Sequence, residues 1–600
     1  MTRHPPSFQS SASAASLLPH HSQRDTNGRR QPSINSFSGL ISSQSSSMIG
    51  GHNFYRHSSI SEKYSLDPSP AQWGTPLLMD VREPDDELHN PDPKQDSSKT
   101  EWSSFSYRGM SNLGCLSILI VGMLVLFVGY PLITHLTKER PTTQGGFNLG
   151  GINASGQIPE LPGNFGLIDK DTPREAYTKP SWHNGEEMVL VFSDEFNEDG
   201  RTFYPGDDPY WEAVDIHYWG TNDLEWYDPS QATTRDGALQ LTLERVADPS
   251  LNHNLEYKSG MVQTWNKFCF TGGLLEASVR LPGSSTIAGL WPAVWALGNL
   301  GRAGYGASLE GLWPYSYDSC DVGTLPNQTY PGTSLPEAAV TNGDPYNGDV
   351  LSYLPGQRLS ACTCRGESHP GPARPDGSYV GRAAPEIDVF EATVHGGMGM
   401  VSLSAQWAPY NAQYAIRNSS GEVEFDDPDV THYNDYVGGV WQQTTSGLAI
   451  TNQQAYELSG GLFAVYGFEY KPGFDDAYIT WINDNKRAWT IYSAALGPDP
   501  ATEIGARPFP QEPMYIIANL GFSENFGVIE YDQLTFPATM SVDWIRVYQP
   551  ANRVNIGCDP PEFPTAKYIE TYKEVYSNPN LTLWSDSGQP WPKNSLVDQC

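Results

Sequence analysis

From about residue 186 the chain reads with a period of two. In Leu239-Gln240-Leu241-Thr242-Leu243-Glu244 each apolar position is followed by a polar one, just after the turn signal Asp236-Gly237. Leu275, Ala277, Val279 and Leu281 form a second such face, interleaved with Glu276, Ser278 and Arg280. Tyr478 to Trp481 runs into an Asn483-Asp484-Asn485 turn, and Met514 to Leu520 reads as a buried strand. No long amphipathic helix is evident, and Gly and Pro punctuate short strands throughout. The pattern predicts an all-β sandwich.

The flanks differ. Residues 1–112 are rich in Ser, Pro, Asn and Gln with no sustained period, and read as a disordered tail whose serines are open to phosphorylation or sorting. Leu113 to Leu136 is almost wholly apolar and carries no charge until Lys138, long enough to cross about 30 Å of hydrocarbon. It lies too far along the chain for a cleaved signal peptide, so a retained signal anchor is expected. Residues 137–185 read as a stalk, 186–550 as the folded domain, and 551–600 as a Cys-containing extension. Within the domain, 299–384 is a Gly-, Pro-, Ser- and Tyr-rich insertion, longer than ordinary loops. It either borders the substrate cleft or is a disulfide-stapled surface excursion.

Charge narrows the partners. The net charge of the 600 residues is -33, and 58 of the 69 acids lie beyond residue 112, against 26 of the 36 bases. Such a body repels nucleic acid and anionic lipid headgroups, and suits a neutral polysaccharide. Sequons at Asn153, Asn327, Asn418 and Asn580 all follow the apolar span. So do six of the seven cysteines, Cys269, Cys320, Cys362, Cys364, Cys558 and Cys600. Both favour a cytosolic tail and a lumenal or extracellular body, a type II arrangement in the endoplasmic reticulum, Golgi or plasma membrane. Six cysteines allow 15 pairings. Cys364 and Cys362 are too close in sequence for the usual zinc spacing and no His pair accompanies them, so neither metal nor cofactor is expected. Cys115, inside the span, is expected to pack.

The most informative chemistry is Pro385-Glu386-Ile387-Asp388-Val389-Phe390-Glu391-Ala392. On a regular strand Glu386 and Asp388 share a face and Glu391 points away; one extra residue, a β-bulge, brings all three together. The two glutamates then stand with carboxyls roughly 5 Å apart, the spacing of a retaining glycosidase. Three crowded acids cannot all ionise cheaply, so one holds a proton near neutral pH. The spacing alone also fits a solvated acidic edge strand or a calcium site.

With its neighbours this strand resembles the active-site strand of glycoside hydrolase family 16, the β-jelly-roll enzymes of β-glucans. Val191-Phe192-Ser193-Asp194-Glu195-Phe196-Asn197 is similar to that family's first strand. Tyr257-Lys258-Ser259-Gly260 and Gly289-Leu290-Trp291-Pro292-Ala293-Val294-Trp295 resemble its cleft strands. Phe536-Pro537-Ala538-Thr539-Met540 and Val542-Asp543-Trp544-Ile545-Arg546-Val547-Tyr548 resemble its closing strand. Together with the tail and span, the chain resembles the fungal β-1,6-glucan synthesis-associated membrane proteins. The resemblance implies a concanavalin-like β-jelly roll, β-glucan as partner, contact with the cell-wall synthesis machinery, Glu386 as nucleophile, Asp388 as its helper and Glu391 as acid/base.

Trp291 and Trp295 share a strand face and are candidates to stack on sugar rings, or else to fill the core. Trp226 is a further subsite candidate, and His395 a hydroxyl ligand or a structural residue. Two functions remain open at this level: a retaining glycosidase or transglycosylase, and a catalytically silent glucan-binding scaffold.

Overall fold

The computed structural model describes residues 107–129 and 166–600. The tail ahead of Tyr107, the sequon at Asn153 and residues 130–165 of the expected span and stalk lie outside the described residues. Two units separate in the chain. In the first, Tyr107–Leu124 is α-helical and continues as a π-helical turn, Val125–Gly129. It starts six residues ahead of the apolar run, on polar Tyr-Arg-Gly-Met-Ser-Asn. No helix among the described residues is long and apolar enough to cross a membrane. Cys115 is exposed and unpaired rather than packed.

The second unit is the all-β sandwich expected from the alternation. One sheet runs, in spatial order, from Lys486–Tyr492 through Tyr478–Asn483, Ala464–Lys471, Gly273–Arg280 and Ala538–Pro550 to Ala238–Arg245. The other runs from Gln442–Ile450 through Met398–Trp407, Glu386–His395 and Trp291–Gly298 to Met514–Gly521 and Met261–Gln263. Late strands lie between early ones in both sheets, in the jelly-roll manner. Leu275, Ala277 and Val279 of the first sheet meet Val294, Ala296, Ile387 and Val389 of the second in a core from which water is excluded. Each fully buried Leu or Val there contributes about 1.5–3 kcal/mol.

Because the period is two, the residues between these core positions must point to the far side of the second sheet. Trp291, Ala293, Trp295, Ser402, Ser404, Gln406 and Asn519 therefore share one face, and all but Asn519 are buried there.

The fold begins earlier than the predicted boundary at 186. Thr178–Pro180 pairs with Glu187–Asp194. Lys179 Nζ lies 2.6 Å from Glu276, and Ser181 Oγ and the Trp182 amide both donate to Glu469 at 2.6 Å. Residues 166–185 are thus a strap on the sandwich, which period-two reading misses because they have almost no regular strand. Asp194 and Glu195 are explained by ion pairs: Asp194 with Arg201, and Glu195 with Arg546 of the closing strand, both through paired N–H donors.

The insertion and the extension interlock. Disulfides join Cys269 to Cys558, Cys320 to Cys362 and Cys364 to Cys600, using all six downstream cysteines. Tyr568, Val575, Tyr576 and Trp584 of the extension pack with Leu300, Tyr305, Leu312 and Trp313 of the insertion in a second apolar cluster. That cluster also holds Trp295, Leu297 and Ile517, so it roofs part of the second sheet's outer face. Asn327, Asn418 and Asn580 are exposed, as glycan acceptors must be.

Candidate active site

The strand Glu386–His395 carries the bulge that the acids require. Against Trp291–Gly298, Trp295 faces Asp388 and Val294 faces Phe390, leaving Val389 as the extra residue. The register against Met398–Trp407 shifts at the same place. Ile387, Val389, Phe390 and Ala392 consequently enter the core, and Glu386, Asp388 and Glu391 fall together on the opposite face. An acidic edge strand is excluded: this strand is central, and the three acids are only 1 to 5% exposed.

Each carboxyl has defined partners. Glu386 Oε2 accepts from Trp313 Nε1 at 2.6 Å. Asp388 Oδ2 accepts from Ser404 Oγ at 2.8 Å and Gln406 Nε2 at 3.0 Å, and Gln406 is itself held by Thr444. Glu391 Oε1 accepts from Trp291 Nε1 at 3.1 Å. Glu386 Oε1 and Asp388 Oδ1 are buried and receive no N–H or hydroxyl donor, so they satisfy each other only by sharing a proton. Burial, followed by the charges of Asp388 and Glu391, holds Glu386 well above the ordinary carboxylate range. Burial also pushes Asp388 up to about 6, against the pull of the Ser404 and Gln406 hydrogen bonds.

Trp291 and Trp295 line a pocket with Asp388 and Glu391, but as fixed wall residues. The Trp291 ring is covered by Phe526, stacked at 4.3 Å, and its N–H is committed to Glu391. Trp295 donates to Asn519 at 2.8 Å. Trp226 lies away from the pocket lining, stacked on His253 at 3.5 Å with its N–H on Asp215. His395 is exposed at the strand end and does not line the pocket either.

Other groups come from places that sequence reasoning passed over. Trp313 belongs to the insertion, 73 residues before Glu386, and no local pattern announces it. Asp223, Glu225 and Tyr227 did carry a signal, acids and a phenol spaced by two as Glu386 and Asp388 are; Glu225 and Tyr227 flank Trp226 on the strand Glu225–Tyr227 and point to the face opposite it. Asp223 and Tyr227 line the same pocket. Among the described residues no group of His, Cys, Asp and Glu is arranged to hold a metal ion.

The comparisons with known proteins follow this geometry. The model of the family described as beta-glucan synthesis-associated protein SKN1/KRE6/Sbg1 matches residues 75–600. This chain belongs to that family. It is 43% identical over 532 residues to beta-glucan synthesis-associated protein SKN1 of Candida albicans, covering 87% of this chain and 67% of that one. To KRE6 of Saccharomyces cerevisiae it is 39% identical over 618 residues, covering 99% of this chain and 78% of the relative. A beta-glucanase of Rhodothermus marinus is 32% identical over 126 residues, 21% of this chain and 40% of the relative. Among solved structures, the catalytic domain of an endo-1,3-beta-glucanase (laminarinase) from Thermotoga petrophila aligns over 61% of this chain and all of its own, at 19% identity and a TM-score of 0.33.

Two outcomes follow from the protonation pattern. Glu386, Asp388, Glu225 and Asp223 all bind protons more tightly in the folded chain, so the stability these four contribute falls as pH rises, while the partly buried His183 and His369, held below the ordinary imidazole range, act in the opposite sense. The loss starts above the ordinary carboxylate range, near pH 4, and continues through about 7, where Asp223 ionises. Glu225→Gln, permanently neutral, is expected to flatten the fall of melting temperature between about pH 5 and 8; an unchanged slope contradicts this protonation. Second, Trp313→Phe keeps an aromatic ring, though a smaller one, and removes the N–H, costing the Glu386 anion a charge-assisted hydrogen bond of about 1.5–3 kcal/mol. The Glu386 carboxyl should then ionise at higher pH than in wild type, as followed by its infrared carboxyl band; an unchanged titration contradicts the bond.

Proposed function

We propose that this chain is a retaining β-glucan glycosidase or transglycosylase serving cell-wall β-1,6-glucan assembly. The observation that carries the reading is the bulge at Val389, which gathers three buried carboxyls on one face. Glu386 is the nucleophile. Its attack on the anomeric carbon requires the anion, so the shared proton passes to Asp388 as the bond forms. Glu391 gives its proton to the departing glycosidic oxygen, then, as a carboxylate, takes one from water or from an acceptor hydroxyl. Water yields hydrolysis; a glucan hydroxyl yields transfer. The names of the family relatives support β-glucan as the polymer concerned.

Leu113 to Leu136 is proposed to serve as a single-pass signal anchor, with the sandwich in the secretory lumen or outside the cell. Exposed apolar side chains from Leu113 to Val128, three disulfides and three exposed sequons support that placement.

One observation favours the second reading, a silent glucan-binding scaffold. Glu386 is only 1% exposed, with one oxygen taken by Trp313, and it does not itself line the pocket. The deciding experiment incubates the protein with β-1,3- and β-1,6-glucan oligosaccharides and follows product mass and anomeric configuration. Shorter or longer products that retain the β configuration establish the enzyme. Binding without any turnover establishes the scaffold.

A further inference from the structure

The wall of the pocket facing Glu391 is built from Tyr218, Thr221, Asp223 and Tyr227. Thr221 Oγ1 donates to Asp223 Oδ1 at 2.5 Å. Glu225, fully buried behind Asp223, accepts from the Phe522 amide at 3.1 Å and lies against the Asp223 and Tyr227 side chains. Burial, then the charge of Asp223, holds Glu225 well above the usual range, while burial lifts Asp223 to about 7. Glu225 is thus the protonated partner of Asp223. Asn519 links the wall to the opposite sheet, donating to the Tyr227 hydroxyl at 3.0 Å and accepting from Trp295.

Tyr218 supplies a second polar group to the same wall. It is only 6% exposed, and its hydroxyl has no donor or acceptor within ordinary hydrogen-bond geometry. The Gly304 backbone approaches its oxygen, and the phenolic proton has no acceptor. Tyr410, Tyr466, Tyr470 and Tyr568 have buried hydroxyls in the same state, but of these five Tyr218 is the one that lines the pocket, where a docked hydroxyl can reach it.

Size limits what docks. The pocket spans about 390 Å³ counting its open mouth, of which about 30 Å³ admits a water-sized body. A single water needs at least about 10–15 Å³ by that measure, so the inner space holds about two heavy atoms and no pyranose ring.

Resting on the glucan reading above, we propose that Tyr218 and Asp223 form a specificity site for the hydroxymethyl arm of one glucosyl unit. Tyr218 donates its O–H to the arm's oxygen, and the Asp223 carboxylate accepts the arm's own O–H. Glu225, Tyr227 and Asn519 are positioning residues that keep Asp223 aimed into the pocket. A site built to pair a hydroxyl discriminates strongly against the analogue without it, because its buried polar groups are then left unpaired.

The test measures binding to the full-length chain in detergent of β-linked gluco-oligosaccharides and of xylo-oligosaccharides of the same linkage, which lack the hydroxymethyl arm. Wild type is expected to prefer the glucosyl ligand by at least about tenfold. Tyr218→Phe, which keeps the ring, and Asp223→Asn should each erase most of that preference by weakening glucosyl binding alone. In Asp223→Asn the pH dependence of that binding near 7 should also disappear. A preference that survives both variants, a wild type with no preference, or no binding by wild type overturns the proposal. Absence of turnover alone defeats only the enzyme reading, since the binding comparison is independent of it.

Discussion

Glu391→Gln is expected to fold normally and to lose about 10²- to 10⁴-fold of its turnover on β-glucan, the contribution of a positioned general acid. The amide is nearly isosteric, and its carbonyl oxygen still accepts from Trp291 Nε1, so the buried wall is preserved. What it lacks is a proton for the departing oxygen. A substrate with an activated aryl leaving group bypasses that need in the first step only, so the variant should then accumulate a glycosyl-enzyme visible by mass. Glu386→Gln removes the nucleophile and the proton-sharing partner of Asp388 together, and no leaving group should rescue it. The same rescue of both variants would show that the two roles are misassigned.

Ending the chain after Pro550 should prevent recovery of a folded sandwich, although every long strand precedes that point. The extension supplies half of two disulfides, Cys269–Cys558 and Cys364–Cys600. Loss of each native disulfide typically costs about 2–5 kcal/mol. It also partners three buried arginines: Arg302 donates to the Tyr576 carbonyl, Arg382 to the Pro564 carbonyl, and the Arg358 guanidinium lies 3.8 Å from the centre of the Trp584 ring. Without the extension these charges lose buried contacts, and apolar residues of the insertion face water. Since whole domains are stable by only about 5–15 kcal/mol, the sum is enough to unfold the unit. The milder Trp584→Ala should cost about 3–5 kcal/mol by itself. A truncated chain melting near the wild-type temperature would show the extension to be an ornament.

The alternation of Leu239 to Glu244 and of Leu275 to Leu281 was enough to read two strands, because the side-chain period of a strand is local geometry. The acids were legible for the same reason, and the bulge followed from requiring three of them on one face. Trp313 was not legible. Its meeting with Glu386 depends on how an 86-residue irregular insertion is folded over the sheet and stapled to the C-terminus. The roles of Trp291 and Trp295 were half legible: the strand face could be read, but not that Phe526 and Asn519, brought from the Met514–Gly521 strand and the loop after it, would occupy the indole ring and the N–H.

Local sequence therefore determined the all-β class, the acidic strand and its bulge, each a matter of neighbours in the chain, while the central place of that strand came from the sheet topology. Tertiary structure decided the cysteine pairing, the strap ahead of residue 186, the burial that moves protons onto Glu386 and Glu225, and the second wall at Asp223. Those depend on segments hundreds of residues apart excluding water from one another, and desolvation is a property of the assembled fold.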